Sequence, residues 1–145
     1  MMKYSDNLKL AIAASINAGT EIMKIYESDD FGVETKGDDS PLTKADKASH
    51  YVICEALASS GLPLLSEEGA QIPFNERSTW GRFWMIDPID GTKEFIKKNG
   101  EFTVNIAMIQ NGLPVMGVVY APVLKELFFA EHNLGSFKIN QVQTL

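Results

Sequence analysis

The dipeptide Asn111-Gly112 lies between two runs of strand-like periodicity, Phe102–Gln110 and Leu113–Ala121. Asn-Gly accepts the positive φ angles of a two-residue turn, and period-two patterning buries one face of a strand, so this stretch predicts a tight antiparallel hairpin. A hairpin fixed there offers a sheet to other short runs. Leu62–Ser66, Phe83–Ile86, Glu126–Glu131 and Gly135–Asn140 read as further strands. Upstream the period changes. Leu8, Ile12, Ile16, Met23 and Tyr26 recur at helical spacing and predict a helix from about Tyr4 to Tyr26. Ala11, Ala14 and Ala18 add helix propensity, and Gly19 suggests close packing. A second helix is expected over Lys44–Ser60, with Thr43 as its cap, Asp46 at the third position, Gly61 at its end and Ala45, Ala48, Val52 and Ala56 along one face. Ser28–Ser40 reads as a mobile or hairpin-like loop and Gly69–Gly81 as a loop. Helices followed by a largely antiparallel sheet make an α+β layout, with two helices packed on the sheet. A chain of 145 residues points to one domain.

Several function classes fall away on composition. Thirteen basic against nineteen acidic residues give a formal charge of −6, which argues against general nucleic-acid binding. No apolar run approaches the roughly 20 residues of a membrane-spanning helix, and Met1–Asp6 carries no leader-like apolar segment. The single cysteine, Cys54, cannot form an internal disulfide, and a cytoplasmic, reducing location is expected.

The chemistry concentrates between Ser66 and Thr92. Ser66-Glu67-Glu68-Gly69 closes one short strand and Asp87-Pro88-Ile89-Asp90-Gly91-Thr92 closes another. If the strands are neighbours, Glu67, Asp87 and Asp90 converge at one rim, where they repel unless a cation lies between them. The donors on offer are carboxylates, the Ile89 carbonyl and the Thr92 hydroxyl, a set that suits Mg²⁺, Mn²⁺ or Ca²⁺ rather than zinc or copper. A short helix is read from Thr92 through Ile96 and ending at Gly100, and the amides at its start could take a phosphate oxygen. Each residue alone also has an ordinary reading. Glu67-Glu68 can be a solvated loop, Asp87-Pro88 a turn, and Asp46 and Thr43 a helix cap; only their combination beside strands favours a site. Lys93, Lys97 and Lys98 either steer a phosphorylated substrate or form a solvated face. His50 and His132 have no second histidine or cysteine at ligand spacing and read as structural or solvated, and Cys54 reads as packing.

The order of these motifs resembles the inositol monophosphatase-like family of metal-dependent, lithium-sensitive phosphatases. The resemblance rests on Glu67-Glu68, on Asp87 through Thr92 after Trp84-Met85-Ile86, and on Ser40-Pro41-Leu42-Thr43-Lys44-Ala45-Asp46. Asp90–Ile96, Asn99–Ala107 and Val118–Pro122 are similar to the CysQ-type bisphosphate-nucleotidase branch. The resemblance covers the chain to about Glu131. It implies Mg²⁺ ions held by Glu67, Asp87, Asp90 and the Ile89 carbonyl, with Glu67 and Thr92 orienting the attacking water. Asp46 would hold a further metal through water or help position the nucleophile, and the Gly91 and Thr92 amides would hold the phosphate. The implied reaction is hydrolysis of 3′-phosphoadenosine 5′-phosphate, a small phosphorylated nucleotide, to AMP and phosphate. Inositol monophosphate or fructose bisphosphate on the same site, or a non-catalytic metal-binding fragment, are the alternatives. Family members continue into a second α/β half with a further Asp ligand in a Trp-Asp motif. Trp80 and Trp84 are not followed by Asp, so the chain is expected to be the N-terminal portion, inactive alone and prone to self-association.

Overall fold

In a computed structural model, which describes residues 3–143, Ser5 caps α1 (Asp6–Tyr26) by accepting a hydrogen bond from the Leu8 amide at 3.1 Å. Met1 and Met2, part of the stretch read as free of a leader, lie outside the described residues. A small antiparallel pair follows, β1 (Glu34–Thr35) with β2 (Pro41–Leu42), so the expected loop is a hairpin. α2 (Lys44–Leu57) opens with a capping box in which Asp46 accepts from the Thr43 amide at 2.8 Å. It stops at Leu57, short of the expected Ser60, and a 3₁₀ turn over Ala58–Ser60 completes the run.

The sheet is built from β3 (Leu64–Ser66), β4 (Arg82–Asp90), β5 (Thr103–Gln110), β6 (Leu113–Ala121), β7 (Glu126–Glu131) and β8 (Gly135–Ile139), in sequential order. Two short helices interrupt it, α3 (Phe74–Arg77) and α4 (Thr92–Ile96). All pairings are antiparallel except β3 with β4, which is parallel. The β5–β6 turn is the Asn111-Gly112 hairpin, with φ of 51° and 81°. Helix α1 packs on β5 and β6, and α2 on β4. Trp84, Ile86, Val104, Ile106, Met108, Val118 and Tyr120 belong to the buried core. The alternating positions Met85 and Phe128 are 44% and 40% exposed.

Three expectations are corrected. The buried side of α1 is Leu8, Ala11, Ala14, Ser15, Ala18, Gly19 and Ile22, while Ile12, Ile16, Met23 and Tyr26 are half-buried at its flank. The small residues let the helix lie close to its neighbours, which a search for large apolar residues overlooks. The fully buried side of α2 likewise runs through Ala45, Asp46, Ser49, Ile53 and Leu57, while Ala48, Val52 and Ala56 are half-buried, the last two packing against the core. Polar Asp46 and Ser49 tolerate burial there because both are hydrogen-bonded. Finally, α3 lies inside the expected Gly69–Gly81 loop, being only four residues long and too short for periodicity to reveal.

Gly19 does mark a close approach. A Cβ there would collide with the buried Tyr120 ring at Cε2 and stand 2.9 Å from Cδ2. Gly19→Ala is therefore expected to destabilise by about 1–3 kcal/mol from overpacking, less about 1 kcal/mol regained in helix propensity. The check is the urea midpoint, which should fall; an unchanged or higher midpoint would mean that Tyr120 can move aside.

Candidate active site

Because β3 and β4 run parallel, Glu67 and the Asp87–Thr92 segment emerge at the same end of the sheet. The Glu67 amide donates to the Ile86 carbonyl at 3.0 Å, extending that ladder. Strand β4 does not stop at Ile86 as expected but continues to Asp90. Asp87 faces Asn105 and Asp90 faces Thr103, so β4 has one residue more than β5 between these pairs. This β-bulge re-aims the segment, and Pro88, without an N–H, sits where no ladder donor is needed. Gly91 then takes φ of 102°, with Glu101 O 3.0 Å from where a Cβ would stand, and α4 begins at Thr92. Only glycine fits that turn.

Glu67, Asp87, Ile89, Asp90, Gly91 and Thr92 line one cleft of about 230 Å³, together with Lys36 and Lys93. Asp87 is pushed up to about 7, first by burial, then by the charge of Glu67 and a hydrogen bond shared with it, then by Asp90 and Glu68. Its Oδ1 is buried without a hydrogen-bond partner, as is Glu94 Oε2. Asp90 Oδ2 accepts from Asn105 Nδ2 at 3.0 Å, and Asn105 Oδ1 accepts from Thr103 Oγ1 at 2.8 Å. Fully buried Asp46 joins the cleft through Thr92, whose Oγ1 donates to Asp46 Oδ1 at 2.8 Å, while Asp46 Oδ2 is held by Thr43. Glu68 turns aside to Lys36 at 2.7 Å, and the Lys36 Nζ stands 4.0 Å from Glu67 Oε1. Burial alone would lower the Lys36 ammonium, but the Glu68 hydrogen bond and the charges of Glu68, Glu67 and Asp46 outweigh it and raise it.

The arrangement fits a hard cation in two respects. Every donor is oxygen, and Asp87 offers a buried, unpartnered carboxylate oxygen against its acidic neighbours. Among the described residues no three histidine, cysteine or acidic side chains stand at ready-made metal spacing. Asp46 keeps its capping role and adds to it the bond to Thr92. Lys36, Asn105 and Ser49 were missed. Asn105 is signalled only by lying opposite Asp87, and Ser49 only by being three residues beyond Asp46. The reading of His50 needs correction, since Cys54 does lie beside it, with Sγ 3.7 Å from Nδ1; burial pushes that thiol up. Lys98 packs over the Tyr26 and Phe31 rings at 5.4 and 5.6 Å, while Lys93 lines the cleft. Among the described residues no helix is long and apolar enough to cross a membrane.

With this geometry in place, comparison with known proteins is informative. The sequence profile of the inositol monophosphatase family matches residues 3–145. The 3′(2′),5′-bisphosphate nucleotidase CysQ of Salmonella typhimurium is 53% identical over 117 residues, covering 79% of this chain and 47% of that protein. The protein of the same name from Escherichia coli K12 is 50% identical over 117 residues, with the same coverage. Among solved structures, CysQ from Bacteroides thetaiotaomicron superposes with a TM-score of 0.85 at 48% identity, over 96% of this chain and 51% of its own. An inositol monophosphatase (IMPase) from Thermotoga maritima gives 0.81 at 28% identity, over 92% and 51%. The chain thus spans about half the length of the curated relatives it matches.

Proposed function

This chain belongs to the inositol monophosphatase family, and from that premise we propose that it supplies the acidic half of a Mg²⁺-dependent 3′(2′),5′-bisphosphate nucleotidase. The observation that carries the reading is the joined ends of β3 and β4, where Glu67, Asp87, Asp90 and Thr92 line one cleft. Identity of up to 53% with proteins named bisphosphate nucleotidases favours 3′-phosphoadenosine 5′-phosphate over inositol or fructose phosphates as substrate. Glu67, Asp87, Asp90 and the Ile89 carbonyl are the residues that would hold the cations. Bound Mg²⁺ would lower the pKa of water and neutralise phosphoryl oxygens.

The chain's own groups do the rest. Thr92 Oγ1 donates its hydrogen bond to Asp46 Oδ1, which leaves its lone pairs free to accept from the attacking water. Glu67, on the exposed side of the cleft, takes the water's other proton by hydrogen bond and fixes its direction. The Gly91 and Thr92 amides are the donors for a phosphate oxygen. Asn105 keeps the Asp90 carboxylate turned to one side. A cytoplasmic setting suits the lone thiol. The exposed Met85 and Phe128 on the sheet face away from the helices make self-association of the isolated chain part of the same proposal.

The test is a chimera in which this chain replaces the matching region of the Salmonella typhimurium nucleotidase. With Mg²⁺ it is expected to release phosphate from 3′-phosphoadenosine 5′-phosphate faster than from inositol monophosphate. Asp90→Asn in this chain's portion should slow release at least about a hundredfold. A chimera indifferent to Asp90 would defeat the site assignment. Preference for inositol monophosphate, with a nucleotidase supplying the other half, would move the substrate to that alternative.

A further inference from the structure

Resting on the phosphatase reading, we infer that helix α2 is the jig that aligns the acidic cleft, and that Ser49 and His50 are positioning residues for its cation ligands. Asp46, Ser49 and His50 are three and four residues apart, so they project from one side of the helix. Each takes hold of a different segment. Asp46 Oδ1 accepts from Thr92 Oγ1 at 2.8 Å, just beyond Asp90. Ser49 Oγ donates to the Pro88 carbonyl at 2.8 Å, between Asp87 and Ile89. His50 Nδ1 shares a hydrogen bond of 2.7 Å with Ser66 Oγ, directly before Glu67. The three stretches that carry Glu67, Asp87 and Asp90 are therefore fastened to one helix.

The sheet by itself does not supply this order. Pro88 lies in the bulge where β4–β5 pairing is interrupted. Ser66 is the last residue of a three-residue edge strand paired on one side only. The His50 ring is itself confined. Its Cε1 stands 3.3 Å from where a Cβ on Gly69 would be, and Cys54 Sγ lies 3.7 Å from Nδ1. The Gly69 amide donates to Ser66 O at 3.0 Å and closes the turn that holds Glu67 and Glu68, so the imidazole fills the space beneath that turn. Carboxylates crowded into one cleft repel each other, and fastening their backbones to a common helix opposes that spreading. Groups that orient metal ligands in this way change metal affinity about 10–100-fold when removed.

The experiment measures Mn²⁺ affinity of the 145-residue chain by electron paramagnetic resonance, with thermal unfolding recorded without metal. Ser49→Ala and His50→Ala are each expected to weaken binding about tenfold or more. His50→Asn, whose side-chain amide can replace the Nδ1 hydrogen bond, should recover most of the loss. Ser66→Ala tests the same bond from the other side, should His50→Ala fail to fold, and the double variant should bind no more weakly than either single one. Ile22→Val, a core change at a residue that does not line the cleft, should lower the unfolding temperature and leave affinity unchanged. Unaltered affinity in Ser49→Ala, and in His50→Ala or Ser66→Ala, would overturn the inference alone. An equal loss in Ile22→Val would reduce the effect to general destabilisation and overturn it too. Absence of Mn²⁺ binding by the unaltered chain would overturn the site reading and this inference with it.

Discussion

Replacing Asp87 by Asn is expected to abolish divalent-cation binding while making the metal-free chain more stable. Asp87 is the carboxylate most opposed by its surroundings, half-buried beside Glu67 with Asp90 and Glu68 near, and pushed from 3.8 to about 7. A group whose folded pKa is raised contributes stability that is fully present below its unfolded value and is lost as pH rises through the folded one. The metal-free chain should thus weaken between about pH 4 and pH 7 and level off above. Asparagine copies the shape of the protonated acid and cannot ionise. At about pH 8 the variant should be more stable by about 1–2 kcal/mol, since solvent screening reduces what the full shift would give for a half-exposed group. Near pH 4 the two chains should have equal stability. Urea melts at several pH values, paired with a Mg²⁺ titration, make the check. A variant less stable than the parent at every pH would show that Asp87 is held by favourable contacts rather than opposed.

The isolated chain is expected to hydrolyse 3′-phosphoadenosine 5′-phosphate at least about a hundredfold more slowly than the chimera described above. Glu67 and Asp87 line not only the narrow cleft but also a cavity of about 520 Å³ on the sheet face away from the helices. Met85, 44% exposed, lies on that same open side. Water therefore reaches the carboxylates from two directions, and electrostatic stabilisation of a transferring phosphoryl group weakens wherever water can screen it. Positioning losses compound this, because a displacement of about 1 Å can cost on the order of a hundredfold in rate. Phosphate release by purified chain and chimera, side by side, decides the matter. Comparable turnover by the isolated chain as a monomer would show that the cleft suffices.

The strand pattern was legible because alternation and the Asn111-Gly112 turn act locally. From β4 to β8 neighbouring strands are also antiparallel neighbours in sequence, so local patterning sufficed there, whereas the parallel β3–β4 pair across α3 was left open. Glu67, Asp87 and Asp90 could be selected only as a set, because each alone reads as a loop or turn residue while together they close two apolar strands. Where reading failed, the determinant was a partner distant in sequence. The inward side of α1 depends on the Tyr120 ring that Gly19 must clear. Ser49 looks like an ordinary helix serine until the Pro88 carbonyl, 39 residues away, is seen to lie opposite it. Lys36 stands in a polar hairpin and its role depends on Glu68, 32 residues further on. Asp46 shows both sides of the problem. Its capping position was visible from Thr43, while its bond to Thr92 belongs to the tertiary fold.

The central claim, that the ends of β3 and β4 form a divalent-cation site built on Asp87, is tested most directly by counting protons released when Mg²⁺ binds. A cation can use the Asp87 oxygens only after displacing the proton that burial and Glu67 favour. Calorimetry in buffers of different ionisation enthalpy should find about one proton released per ion near pH 6, falling towards zero near pH 8, with no binding heat in Asp87→Asn. Binding with the same proton count at both pH values, or binding unchanged in Asp87→Asn, would contradict the account.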